Sequence, residues 1–146
     1  MQGRGVLTPE LKAAAAAYFG EQSHVAAAFL FGSQARGTVR PNSDVDVAVL
    51  MEHGYSDDAF LPVTFATDLM RILRRDDVDV VILNSAPPVL MHRVARDGEI
   101  LFATSNTVVA EFVIYAVQQF EDTRPLRELQ DMQTRQRLGM EPLERP

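Results

Sequence analysis

The chain has 146 residues, 47% of them hydrophobic, with 20 acidic against 14 basic side chains and a formal net charge of -6. That is the composition of an ordinary globular protein, with enough chain for one domain to bury a core. The absence of cysteine excludes disulfides, thiolate zinc sites and cysteine nucleophiles. The acidic balance argues against general nucleic-acid binding, which needs cations to neutralise phosphates. No apolar run reaches the length of a membrane span, and the opening MQGRGVLTPE has no signal-peptide core, so the expectation is a cytoplasmic protein.

In chain order, TPELKAAAAAYF (8–19) predicts a helix, with Thr8 as cap, Pro9 in the first turn and Gly20 as its end. HVAAAFLF (24–31) reads as an apolar strand stopping at Gly32, its alanines leaving a helix open, and SQARG (33–37) as a helical turn or short helix. TVRPNS (38–43) is a loop and DVDVAVLM (44–51) a strand with alternating valines. Residues 57–75 predict an amphipathic helix or helix pair, with Pro62 near its first turn and Leu69, Ile72 and Leu73 on one face. Arg71, Arg74 and Arg75 fall outside that face and read as solvated. DVDVVIL (77–83) is a third strand, residues 85–98 a capped, proline-started helix closed by Gly98, and EILFA (99–103) a fourth strand. Residues 105–120 are helical, with Val109, Phe112, Val113, Ala116 and Phe120 spaced for one face. Pro125 restarts a polar helix, and the last residues form a loose tail. The pattern predicts one α/β (α+β) domain over residues 1–146. Its small mixed sheet of about four strands is flanked by helices, with a motif core over 25–103 and a C-terminal helical segment over 105–138.

The chemistry concentrates in GSQARGTVRPNSDVD (32–46). Strand side chains alternate in direction. Asp44 and Asp46 therefore share one face, and Val45, Val47 and Val49 share the other. Asp77 and Asp79 share a face of the third strand. If the two strands are neighbours, Asp79 joins Asp44 and Asp46 in a cluster of hard oxygen ligands suited to Mg²⁺ or Mn²⁺. Without a cation the carboxylates would repel and drive one towards protonation. Register alone does not choose between Asp77 and Asp79. Gly32 lets backbone approach a ligand, and Ser33 offers a hydroxyl and an N–H where a short helix begins. Arg36 and Arg40 are close enough in sequence to meet phosphate oxygens, with a surface ion pair as the rival reading for Arg36. Together these features point to a nucleoside triphosphate.

Gly32-Ser33 followed by Asp44-Val45-Asp46 resembles the pattern of the DNA polymerase β-like nucleotidyltransferases. The longer string GSQARG…NSDVDVAVL, with VDVVIL downstream, is similar to their minimal bacterial branch, the MNT antitoxins. That resemblance implies a polymerase β-like core in which Asp44, Asp46 and Asp79 are catalytic and metal-binding. Two Mg²⁺ ions are implied, with Mn²⁺ as a substitute. Gly32, Ser33 and Arg36 would hold the triphosphate of ATP. It implies Asp79 rather than Asp77 as the third carboxylate, because Asp79 lies between valines within the strand. The implied activity is AMP transfer from ATP to a hydroxyl, by expectation a tyrosine, of a cognate HEPN-domain ribonuclease toxin. The two proteins would then form a hetero-oligomer. Three rivals stand beside it. A small-molecule nucleotidyltransferase of the aminoglycoside type would need an acceptor pocket, for which this chain has little room. A toxin-binding module without catalysis would not need intact carboxylates. Nucleotide addition to RNA is disfavoured by the acidic charge.

Overall fold

The computed structural model describes residues 5–37 and 44–141. Arg40 and the expected loop at 38–43 lie outside them. In chain order the elements are α1 (Pro9–Glu21), β1 (Val25–Phe31), α2 (Ser33–Arg36), β2 (Val45–Met51), α3 (Leu61–Leu73) and β3 (Val78–Ile82). There follow α4 (Pro88–Asp97), β4 (Glu99–Ala103), α5 (Asn106–Asp122) and α6 (Arg124–Arg137). The strands form one mixed sheet in the order β3-β2-β1-β4. β1 runs antiparallel to β2 and β4, while β2 and β3 are parallel. A parallel pair needs a crossover, and α3 supplies it.

Helices cover both faces of the sheet. On one side α1 and α3 enclose Phe19, Leu30, Val47, Phe65 and Leu69. Phe19 and Phe65 meet edge to face, 5.8 Å between centroids, and the Tyr18 hydroxyl donates to Asp68 across the two helices. On the other side α4 and α5 enclose Phe29, Phe31, Ala48, Leu83, Met91 and Phe112. This double cover explains β1: all seven of its residues are buried, with no alternation, as in a central strand packed on both sides. β2 alternates its two clusters. Val45, Val47 and Val49 face the α1–α3 side, and Ala48 faces the other. Asp46, two residues before Ala48, lies on the α4–α5 side, where helix cover ends.

The local chemistry of the helix starts is mixed. Thr8 Oγ1 accepts from Leu11 N–H at 3.2 Å, and Ser105 Oγ from Val108 N–H at 3.2 Å. Ser85 does not cap a helix. It ends a 3-10 turn (Leu83–Ser85), and Pro87 precedes α4 without a side-chain bond. α1 runs one residue past Gly20, because alanine-rich sequence propagates helix well enough to absorb a terminal glycine. α3 starts later than the amphipathic pattern suggests, at Leu61, with Pro62 in its first turn.

Arg75 departs from the sequence expectation. Its side chain is 5% exposed rather than solvated, and it grips Asp77, itself 9% exposed, with Nε–Oδ1 2.5 Å and Nη2–Oδ2 2.7 Å. α3 is capped by Arg74 in a left-handed conformation. That turn takes Arg75 off the exposed helix face on which simple periodicity places it. No helix among the described residues is long and apolar enough to cross a membrane.

Candidate active site

β1 ends at Phe31, and Phe31 is the register partner of Asp46. The chain then turns sharply at Gly32, whose φ of 70° and ψ of -147° lie in a region essentially restricted to glycine. A Cβ on Gly32 would sit 2.5 Å from Asp46 Oδ2. The glycine thus provides both the turn and the space for a carboxylate to lie against backbone. Ser33 opens α2, a single turn closed by Gly37. One turn has almost no macrodipole, so α2 offers a ligand only its local groups: the Ser33 hydroxyl and the turn's own N–H groups.

The sheet register brings two carboxylates side by side. Asp46 on β2 is the direct partner of Asp79 on β3, and partners in a parallel pair project to the same face. Asp79 is exposed on the edge strand, Asp46 is half-buried, and Asp44 is exposed just before β2. Burial pushes the Asp46 carboxyl above the usual carboxylate range. The charges of Asp79 and then Asp44 push it the same way, and Arg36 opposes them. Arg36, at the exposed end of α2, also acts on Asp97 at the end of α4. Four of the other five sequence-predicted residues, Gly32, Asp44, Asp79 and Arg36, are thus within contact or electrostatic range of Asp46. Ser33 follows Gly32 directly.

Asp77 is engaged elsewhere, in the Arg75 ion pair. Sequence alternation makes Asp77 and Asp79 equivalent, and only the folded contacts distinguish them. Among the described residues, no three His, Asp or Glu side chains already converge as a metal cage. The donor set nevertheless fits a hard divalent cation: oxygen ligands only, several negative charges, and one half-buried carboxyl whose ionisation the others oppose. Sequence reasoning missed Gln34, which is buried within α2, and misread Arg75. A glutamine inside a four-residue helix carries no periodic signal that would reveal burial.

A pair of carboxylates on two neighbouring parallel strands, facing a Gly-Ser turn on a four-stranded mixed sheet, is the architecture of a nucleotidyltransferase core. Residues 14–107 match the family described as Polymerase beta, Nucleotidyltransferase, and the chain belongs to that family. It is similar to the protein adenylyltransferase MntA of Aphanizomenon flos-aquae, 36% identical over 81 residues, 50% of this chain and 53% of that protein. The protein adenylyltransferase MntA of Shewanella oneidensis is 40% identical over 78 residues, 53% of this chain and 54% of that protein. The chain spans about half the length of the curated relatives it matches. Among solved structures, a toxin-antitoxin crystal structure with AMP-PNP superposes with a TM-score of 0.73 at 25% identity, covering 84% of this chain and 97% of that one. A Shewanella oneidensis structure, a tri-AMPylated HEPN toxin in complex with MNT antitoxin, shares the fold. Its TM-score is 0.70 at 22% identity, over 87% of this chain and 98% of that one.

Proposed function

We propose that this chain is a divalent-metal-dependent protein adenylyltransferase that moves AMP from ATP to a tyrosine hydroxyl of a HEPN-domain ribonuclease toxin and so neutralises it. The observation that carries the reading is the register pairing of Asp46 with Asp79, with Asp46 Oδ2 lying against the Gly32 turn. The relatives named protein adenylyltransferase MntA and the toxin-antitoxin matched with AMP-PNP support the same activity and donor. Asp44, Asp46 and Asp79 would hold Mg²⁺, two ions by analogy with other phosphoryl-transfer sites, or Mn²⁺. The bound metal would neutralise phosphate charge and stabilise the leaving pyrophosphate.

The chain's own groups position the reactants. Gly32 leaves room for the Asp46 carboxylate beside backbone, Ser33 offers its hydroxyl to the phosphates, and Arg36 places a cation beside them. The acceptor oxygen bonds to the α-phosphorus, and the bond from that phosphorus to the β-phosphate oxygen breaks. Pyrophosphate leaves, and the hydroxyl proton passes to Asp79, the more exposed of the paired carboxylates. A macromolecular acceptor suits this site, because Asp79 stands exposed on the edge strand β3 and Asp44 is exposed just before β2. A cavity of about 950 Å³ lies at the other end of the sheet, among Leu50, Met51, Asn84 and Phe112. Leu50 is roughly 13 Å along β2 from Asp46 at a strand's rise per residue, so that cavity does not serve as a small-molecule acceptor pocket for these carboxylates. The reading places the chain in the cytoplasm, where its toxin would act.

Replacing Asp44 and Asp46 together by alanine tests the reading. AMP transfer to the toxin, followed by intact mass, should fall by at least about 10³-fold, since electrostatic stabilisation is the main catalytic contribution in such chemistry. Toxin binding should persist while neutralisation is lost. Full neutralisation by the double variant would leave a non-catalytic blocking module as the answer.

A further inference from the structure

Several buried polar groups lie outside the carboxylate cluster and gather in one place. Gln34, in α2, is 6% exposed. Its Oε1 accepts from the Leu7 N–H at 3.1 Å, and its Nε2 donates to the Gly5 carbonyl at 3.0 Å. The same carbonyl accepts from Arg75 Nη1 at 3.0 Å. Arg75 grips the Asp77 carboxylate with both oxygens engaged. The backbone then extends the chain of bonds, because the Asp77 carbonyl accepts from the Val45 N–H at 2.8 Å. Val45 sits between Asp44 and Asp46, and Asp77 sits two residues before Asp79. The connected path therefore runs from the turn after Gly32, through the segment Gly5–Leu7, to the starts of β2 and β3. Those are the three elements that carry the proposed site residues.

Stability alone does not account for this arrangement. A buried amide without partners is destabilising, and a buried arginine–carboxylate pair is often no better than well-packed apolar groups. The segment already has an apolar anchor in Leu7, 2% exposed in the α1–α3 core. What the polar path adds is direction. Each bond sets a distance and an angle, and the bidentate guanidinium sets a plane. Arg75 is also near enough to Asp44 for their charges to interact.

We propose that Gln34, Arg75 and Asp77 are positioning residues of the active site, setting the Gly32–Ser33 turn against the Asp44–Asp46 and Asp79 strands so that the site receives a metal–nucleotide complex. The proposal rests on the nucleotidyltransferase reading above, and none of these residues needs to touch the nucleotide.

The test uses the full chain and reads binding rather than turnover. Affinity for Mn²⁺ with a non-hydrolysable ATP analogue is measured by calorimetry, at a temperature where circular dichroism shows every variant folded. Gln34→Leu and Arg75→Met should each weaken binding by about tenfold, the range seen when groups orienting metal ligands are removed. Arg75→Lys keeps the charge without the planar fork and should recover part of the loss. Leu69→Val, a core change on α3 outside the path, should lower the melting midpoint and leave affinity unchanged. Wild-type affinity in folded Gln34→Leu and Arg75→Met would overturn the proposal. So would an equal loss in Leu69→Val, which would trace the effect to general stability. Should Arg75→Met not fold, Gln34→Leu and Arg75→Lys decide between the same outcomes. A wild-type chain that binds no metal–nucleotide would instead bring down the nucleotidyltransferase reading, and the positioning role with it.

Discussion

At the scale of single residues, Asp46 carries opposing demands. Its carboxyl is half-buried beside two others, and its proton affinity in the fold is raised by burial first and by Asp79 and Asp44 next. A carboxyl with a raised folded-state pKa contributes stability when protonated, and that contribution is lost as pH rises through the folded value. The metal-free protein at neutral pH therefore carries an ionisation penalty at this position. Asp46→Asn should raise the thermal midpoint in chelator at about pH 8, and the gain should shrink as pH falls through the raised folded value, where the wild-type carboxyl takes up its proton. Melts across that range check it; a variant less stable than wild type at the upper end would contradict the electrostatic account. Gly32 is constrained by the same carboxylate. Gly32→Ala forces both an unfavourable backbone region and a contact with Asp46 Oδ2, so urea denaturation should show a loss of about 1–3 kcal/mol. AMP transfer should fall with it, because the displaced oxygen belongs to a proposed metal ligand.

At the scale of elements, the last helix stands apart. α6 has no buried residue, and Leu126, Leu129 and Met132 on it are exposed. One ring on α5, Phe120, meets both α4 and α6. Phe120 stacks on His92 at 3.8 Å and 12°, and the Arg127 guanidinium lies 3.7 Å from the ring centre. Arg127 Nη1 also donates to the Phe120 carbonyl and to Thr123 Oγ1, each at 2.6 Å. Phe120→Ala should speed amide exchange across α6 by about fivefold, the loss of a cation–π contact worth about 1 kcal/mol. The exchange of β1 and β2 should be unchanged, since local opening need not involve the core. Equal acceleration in the strands would show that α6 is part of the cooperative core. The sequence predicts this helix from its proline restart and amphipathic spacing. It does not reveal that its apolar stripe goes uncovered among the described residues, because periodicity reports a face and not what meets it.

At the scale of the whole molecule, metal binding and folding are linked through the carboxylates. A cation that binds the folded chain and not the unfolded one stabilises it by mass action, about 1.4 kcal/mol at a tenfold excess over the dissociation constant. Mg²⁺ should raise the thermal midpoint of the wild type, and the shift should vanish in the Asp44→Ala, Asp46→Ala double variant. An equal shift in both proteins would place the cation elsewhere.

Strand alternation and glycine placement made most of the architecture legible in sequence. Val45, Val47 and Val49 announce one buried face, and Asp44 and Asp46 the other. Gly32 announces a turn, and the apolar run before it a covered strand. These are local properties, governed by backbone geometry and side-chain period, and they determine the four strands, their helices and the candidate residues. The tertiary structure decided what depends on contacts between segments distant in sequence. It placed Asp79 beside Asp46 and gave Asp77 to Arg75. It buried Gln34 and Arg75 on a carbonyl near the N-terminus. Equal alternation leaves the two aspartates indistinguishable along the chain, and a hydrogen bond across 70 residues has no periodic trace within it. Only the register of parallel strands and the satisfaction of buried polar groups could settle them.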